Sequence, residues 1–246
     1  MRPDARKKIA AAAPKKGSNP IVIGAVVAAV LIVAVVAAIV VGTGGTTSGT
    51  PGSSAVPAGV VGGNDGGILA IASAAKSNAP TLDVYEDFQC PTCGALEKAM
   101  GPTFASLARS GEIKLVVHTL SFLDDNLKND SSKRSANAVA CASDAGKFLP
   151  FHAAVFAAQP AQEGAGYTDA QLTQFATEAG ITGAALTTWQ KCVDSGQHAQ
   201  YVLDVQDNAG RAGVNSTPTV KLNGKDITRT LSTVDALVAQ VKAATK

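Results

Sequence analysis

Cys90-Pro91-Thr92-Cys93 places two thiols two residues apart, with a proline directly after the first. Before it, Thr81-Leu82-Asp83-Val84-Tyr85 alternates as a strand does, and Glu86-Asp87-Phe88-Gln89 forms a short acidic bend. After it, Gly94 to about Arg109 carries Leu96, Met100, Phe104 and Leu107 at helical spacing. The order strand, bend, Cys-x-x-Cys, helix puts Cys90 at or beside a helix N-terminus. Unpaired N–H groups and the positive end of the macrodipole favour an anion there. The anion here is a thiolate, the reactive form of cysteine. Three-residue spacing brings Cys93 round to the same side, close enough to close a disulfide. Such a pair cycles between dithiol and disulfide.

Two other uses of a cysteine pair compete: half of a zinc site, and a structural staple. A structural zinc takes four ligands, usually with a second Cys/His pair at matching spacing. Cys141 and Cys192 stand alone, 51 residues apart, and His118, His152 and His198 show no paired spacing. A staple closing so small a loop constrains the unfolded chain little. Redox chemistry therefore leads, and no metal, flavin or nucleotide motif accompanies it. The three histidines read as packing or surface residues, and Glu86 and Asp87 as loop acids, solvated as such residues more often are, with tuning of the site as the alternative.

Outside the motif, charge is unevenly spread along the chain. Residues 1–20 carry six basic side chains against Asp4, a net of +5, while the remainder holds 15 basic and 18 acidic residues, a net of −3. The sequence pI of about 8.3 thus comes from the tail. No basic face is left to suggest nucleic acid. Ile21 to Val41 is an uncharged run of 21 apolar or glycine residues, long enough for a helix to span the hydrocarbon core of a bilayer. The basic cluster precedes it and no Lys or Arg follows until Lys76, so the positive-inside rule keeps residues 1–20 cytoplasmic and exports the rest. The alternative is a cleaved signal peptide, whose apolar region runs to only about 7–15 residues. Residues 42–67 contain 10 Gly, 4 Thr, 3 Ser and 2 Pro, a composition expected to form a flexible tether. As a coil it spans roughly 25–30 Å.

Residues 68–246 suffice for one domain with its own core. Ile68–Ile71 reads as a first strand, Thr81–Tyr85 as the strand feeding the motif, and Ile113–His118 as the next, giving a parallel crossover over the motif helix. The middle is helical: Ser132–Ala145, Phe148–Ala158, a helix opened by a Thr168/Gln171 capping box, Gly183–Val193 and Gln197–Ala212. Strands return at Thr217–Leu222 and Lys225–Thr228 around an Asn223-Gly224 turn. A last helix is capped by Ser232.

This order is that of a thioredoxin core interrupted by a helical insertion. Asp87-Phe88-Gln89-Cys90-Pro91-Thr92-Cys93 and Ser216-Thr217-Pro218-Thr219-Val220 together resemble the DsbA-like thiol–disulfide oxidoreductases, especially the membrane-anchored ones of actinobacteria. The resemblance covers residues 68–246 and implies an α/β thioredoxin-like fold with an insertion over about 124–212, preceded by one transmembrane helix. It implies that Cys90 is the exposed nucleophile and Cys93 the buried resolving thiol. It also implies that Pro218 is a cis-proline lying against the active pair, with Thr217, Pro91 and Thr92 meeting substrate. Two positions depart from the family pattern. Val84 stands where thioredoxins keep a buried acid, and Thr92 stands where the best-known oxidase of the family has His. In an exported domain disulfides persist, and members of the resembled group carry a second bridge. Cys141 and Cys192 are accordingly assigned to structure, two buried free thiols being the alternative.

The resemblance implies an extracytoplasmic oxidase that introduces disulfides into reduced, unfolded secreted proteins. A DsbB-like or VKOR-like membrane partner would reoxidise it. A reductase or isomerase of the same fold, and a non-catalytic thioredoxin-like chaperone, are the alternatives. A pure binder needs neither cysteine of the motif.

Overall fold

The computed structural model describes residues 55–245. The basic tail 1–20, the apolar segment 21–41 and residues 42–54 lie outside the described residues. Among the described residues no helix is long and apolar enough to cross a membrane.

Five strands, β1 (Ile68–Leu69), β2 (Thr81–Glu86), β3 (Lys114–Thr119), β4 (Thr219–Leu222) and β5 (Lys225–Asp226), form one sheet in the order β1-β3-β2-β4-β5. β2 lies at the centre, parallel to β3 and antiparallel to β4. Leu82 and Val84 carry its apolar alternation and are buried. Helix α1 (Pro91–Arg109) connects β2 to β3, the crossover that a parallel pair requires. It begins at Pro91 rather than at Gly94, because proline at the first helical position lacks only an N–H that would have been unpaired anyway.

Between β3 and β4 come α2 (Leu123–Leu127), α3 (Ser131–Asp144), α4 (Phe148–Ala157), α5 (Asp169–Glu178), α6 (Gly183–Asp194) and α7 (Ala199–Arg211). This is the insertion expected over about 124–212, with the short α2 added. α3 is its axis: Ala136, Ala138, Ala140 and Ala142 are all fully buried. Their methyl groups let α4, α6 and α7 pack closely round them. The Trp189 indole N–H donates to Ala138 O across this packing at 3.1 Å. Cys141 on α3 and Cys192 on α6 are joined by a disulfide, with Cα atoms 6.0 Å apart. Thr168 and Gln171 form the capping box that opens α5. The last helix, α8 (Val234–Ala244), is capped by Thr233, which accepts from Ala236 N at 3.1 Å, and not by Ser232.

The stretch 42–67 does not behave as a tether over its second half. Residues 55–67 lie along the domain because their backbone groups find fixed partners there. Ala58 N donates to Asp144 Oδ1 at 2.8 Å, Ser143 Oγ to Ala58 O at 2.7 Å, Tyr201 OH to Gly66 O at 2.8 Å and Asn208 Nδ2 to Asp65 O at 2.9 Å. Composition suggested freedom, yet at Gly67 a Cβ would lie 2.6 Å from the Val116 side chain and 2.8 Å from the His118 ring. Glycine here serves close approach. The folded domain therefore includes residues 55–67.

Candidate active site

Cys90 is the N-cap of α1, with Pro91 at the first helical position. Its backbone is tied on both sides: Cys90 N donates to Asp87 O at 3.0 Å, and Cys93 N and Gly94 N donate to Cys90 O at 3.1 and 3.2 Å. This fixes both sulfurs on the first turn. Cys93 is 0% and Cys90 7% exposed, so the first thiol is far less open than the family pattern suggests. The reason is the facing loop, where Thr217 O stands 3.6 Å from Cys90 Sγ. The Thr217–Pro218 bond is cis, and both residues are half-buried beside the pair. Pro91 and Thr92 form the exposed rim, and Thr92 Oγ1 reaches Cys90 Sγ at 3.0 Å.

These contacts separate the two thiols chemically. The Cys90 thiol is held down to about 5: a hydrogen bond from the Cys93 thiol to its sulfur favours the thiolate most, burial opposes, and the Thr92 hydroxyl adds to the lowering. The N-terminal end of α1 favours the same charge. Burial pushes the Cys93 thiol well above the ordinary range, and the neighbouring Cys90 and Glu86 charges push it further. One sulfur is an anion at neutral pH and the other a protonated donor.

The bend that carries the motif is held from the insertion. Gln159 Nε2, just past α4, lies 2.9 Å from both Phe88 O and Cys90 O. A Cβ at Gly94 would strike that same amide, so a larger residue there would push the Gln159 side chain off these two carbonyls. The Tyr167 hydroxyl lies between Val155 O at 3.1 Å and Phe88 O at 3.3 Å. Asp87, read from sequence as solvated, is fully buried. It accepts from Gln89 N, Ser132 Oγ and Leu123 N, while burial raises its carboxyl to about 6 against those bonds. Gln89 Nε2 in turn contacts Asp124 Oδ1 at 2.8 Å and Asn129 Oδ1 at 2.9 Å. Asp124 accepts from Ser132 N and Lys133 N, satisfying the start of α3 that Asp130 leaves uncapped. The motif bend and the insertion share one polar network.

Glu86, the second acid assigned to solvent, is also buried, 1% exposed. It lies two residues beyond Val84 on β2, and the period of two returns it to the same inward face. The acid absent at position 84 is thus supplied at the next inward position of the strand. Its partner is His152 of α4: His152 Nε2 pairs with Glu86 Oε1, and His152 Nδ1 stands 3.9 Å from Glu97 Oε2 on α1. Phe88, Phe148 and Phe156 enclose the imidazole with ring centroids 5.1–5.7 Å away. Burial would lower the imidazole, but the Glu86 carboxylate outweighs it and raises it to about 9, with Glu97 contributing. Burial lifts Glu97 to about 7, His152 opposing. No spacing rule in the sequence joins residues 86, 97 and 152; only the inward phase of β2 hints at Glu86.

The other two histidines stay outside this arrangement. His118 pairs with Asp83 at 3.1 Å and stacks on Tyr85, and His198 is buried between Asp144 and Ala55 O. Cys141, Cys192 and His198 cluster, but the disulfide leaves that group no thiolate ligand. The structure therefore brings Cys90, Cys93, Pro91, Thr92, Thr217 and Pro218 into one place and keeps the Cys141–Cys192 bridge in the insertion.

Residues 74–243 match the family model described as Thioredoxin. No curated protein matches the chain. Among solved structures, the chain is 32% identical to the reduced form of the disulfide bond oxidoreductase DsbG from Mycobacterium tuberculosis, covering 70% of this chain and 85% of that one with a TM-score of 0.58. It is 31% identical to reduced DsbA from Mycobacterium tuberculosis, covering 70% of this chain and 90% of that one, also with a TM-score of 0.58. MdbA from Actinomyces oris, a thiol-disulfide oxidoreductase, shares the fold at 21% identity and a TM-score of 0.64, over 81% of this chain and 97% of that one. With its paired thiols at a helix N-terminus facing a cis-proline loop, the chain belongs to the thioredoxin family as a DsbA-like thiol–disulfide oxidoreductase.

Proposed function

We propose that this chain is an extracytoplasmic oxidase, tethered to the membrane by residues 21–41, that introduces disulfides into reduced, unfolded secreted proteins. In the oxidised state a substrate thiolate attacks Cys90 Sγ, the Cys90–Cys93 bond breaks, and Cys93 leaves. A second substrate thiolate then attacks the substrate sulfur of the mixed disulfide and Cys90 leaves as thiolate. The substrate is oxidised by two electrons and the enzyme pair reduced by two. A quinone-linked membrane protein of the DsbB or VKOR-like type would take those electrons back. Thr217, Pro218, Pro91 and Thr92 would line the approach of the substrate strand.

The single observation carrying the oxidase direction is the asymmetry of the two thiols. A leaving group held to about 5 departs readily from a mixed disulfide. Linkage sets the sign. A thiol depressed from 9 to about 5 stabilises the reduced fold fully above pH 9, progressively less below it, and not at all below about pH 5. At neutral pH the reduced form is therefore favoured and the disulfide is an oxidant. Titration against glutathione is expected to place the couple on the oxidising side of thioredoxin's about −270 mV, with Thr92 in the His position holding it short of about −120 mV. The excess melting temperature of the reduced over the oxidised protein should shrink as pH falls from 9 towards 5. A couple at or below thioredoxin's potential would instead favour the reductase reading.

The location has its own test. Protease added to intact cells is expected to digest or release the thiol domain while residues 1–20 stay protected. Recovery of the Cys90–Cys93 domain in the protected cytoplasmic fraction would overturn export.

A further inference from the structure

We propose that Glu86, Glu97 and His152 form a binding site for a divalent first-row transition-metal cation at the wall of the cavity between α1 and α4. None of the three ligands is a thiol, so the site stands apart from the redox direction proposed above.

The fold gathers the three from separate elements. Glu86 ends β2, Glu97 lies in the second turn of α1, and His152 stands in the first half of α4. Their separations, 11 and 55 residues, follow no ligand-spacing pattern. One carboxylate oxygen from each glutamate and one imidazole nitrogen nevertheless lie within 4.8 Å of one another. Around a tetrahedral zinc with nitrogen and oxygen donors at about 2.0–2.2 Å, neighbouring donors stand about 3.3–3.6 Å apart. The three donors therefore need to close by at most about 1.5 Å, which side-chain torsions can supply. A Cβ at Gly101 would strike the Glu97 carboxylate, so the glycine leaves that side chain room to turn. One imidazole and two carboxylates suit zinc, manganese or iron(II), and the two acids balance the charge of the cation. Lys98 and Arg109, the basic side chains lining the same cavity, belong to exposed residues at its rim.

A second observation points to a missing partner. Glu86 is 1% exposed. Its Oε1 is paired with His152, while its Oε2 is buried with no hydrogen-bond partner among the described residues. A carboxylate oxygen sealed from water without a donor loses its solvation and gains nothing in return. A cation held between the two acids and the imidazole supplies the missing interaction.

The surroundings give the site a dry wall and an entrance. Phe88, Phe148 and Phe156 enclose the imidazole and hold its ring in place. On the other side His152 and Glu97 line a cavity of about 720 Å³, which admits a hydrated cation and leaves room for water beside it. Three protein ligands with a further position open to water is the arrangement of open zinc sites. A nitrogen and two oxygens must be free of protons to ligate, so the cation takes the place of the proton held between His152 and Glu86. That proton leaves to solvent, and binding weakens as pH falls.

The test uses the full chain, fully oxidised so that Cys90 and Cys93 are joined and offer no thiolate. After treatment with a chelator, calorimetric titration with zinc chloride is expected to show one ion bound per chain. Cobalt(II) in its place should give the visible absorption of a four- or five-coordinate site and no sulfur-to-cobalt charge-transfer band. Glu97→Gln keeps the shape of the side chain and removes a ligand charge. It should weaken zinc binding by at least about 100-fold, the upper end of what loss of an outer partner alone costs. Glu97 has the most exposed side chain of the three, at 13%, so the metal-free variant should melt as the parent does. A second reading needs no variant. The chain has three histidines, and in spectra of the histidine-labelled parent zinc should shift the His152 ring signals while those of His118 and His198 stay. No zinc bound by the oxidised chain, equal affinity in Glu97→Gln, or a shift confined to His118 or His198 would each overturn the site.

Discussion

Cys90→Ser is expected to reduce dithiol oxidation to the background rate and to form no mixed disulfide with substrate, whereas Cys93→Ser is expected to accumulate one. The difference follows from placement. Cys90 is the N-cap sulfur at the mouth of the pair, held as an anion by the Cys93 thiol and the Thr92 hydroxyl. Cys93 is sealed behind it. Loss of the first thiol removes the atom that substrate reaches. Loss of the second leaves a mixed disulfide that the enzyme cannot resolve from within. Non-reducing electrophoresis followed by mass spectrometry of the trapped adduct reads both outcomes. Comparing Cys93→Ser with Cys93→Ala adds a check on cause. Serine still donates a hydrogen bond to the Cys90 sulfur and alanine does not, so the Cys90 titration should rise above about 5 much further in the alanine variant. Full turnover by Cys90→Ser would remove the thiol mechanism altogether.

Replacing both Cys141 and Cys192 by Ser is expected to cost roughly 4 kcal/mol of stability in the chain-entropy treatment of a bridge spanning 51 residues. For a domain of this size that corresponds to a fall of about 8–16 °C in melting temperature. The initial oxidation rate should change far less, because the bridge joins α3 to α6 inside the insertion while the reactive pair sits on α1. Thermal unfolding and initial-rate measurements on the same preparation separate the two effects. An unchanged melting temperature would show the bridge to be energetically minor. A collapse of activity at temperatures where the variant remains folded would tie the bridge to the site.

Local chemistry alone determines much of this protein. Cys-Pro-x-Cys after an alternating strand requires a helix start, because proline suits the first helical position and unpaired N–H groups draw a thiolate. The order of the strands and of the long helices follows largely from period, the short α2 being an element that period does not show. Tertiary structure decides whatever depends on partners distant in sequence. Glu86 and Asp87 look like loop acids, since a single chain pattern cannot reveal that His152, 66 residues on, and Ser132, 45 residues on, will meet them. Residues 55–67 look free because glycine reads as flexibility. Only the packed neighbours show that Gly67 is needed for contact with Val116 and His118. The same holds for Cys90: its place at a helix end is legible in the sequence, but its near-complete burial comes from the Thr217 carbonyl, delivered 127 residues later by a loop on the far side of the insertion. A residue's period and its immediate neighbours are local properties of the chain, whereas the solvation and pairing of a charge depend on what the fold brings to it.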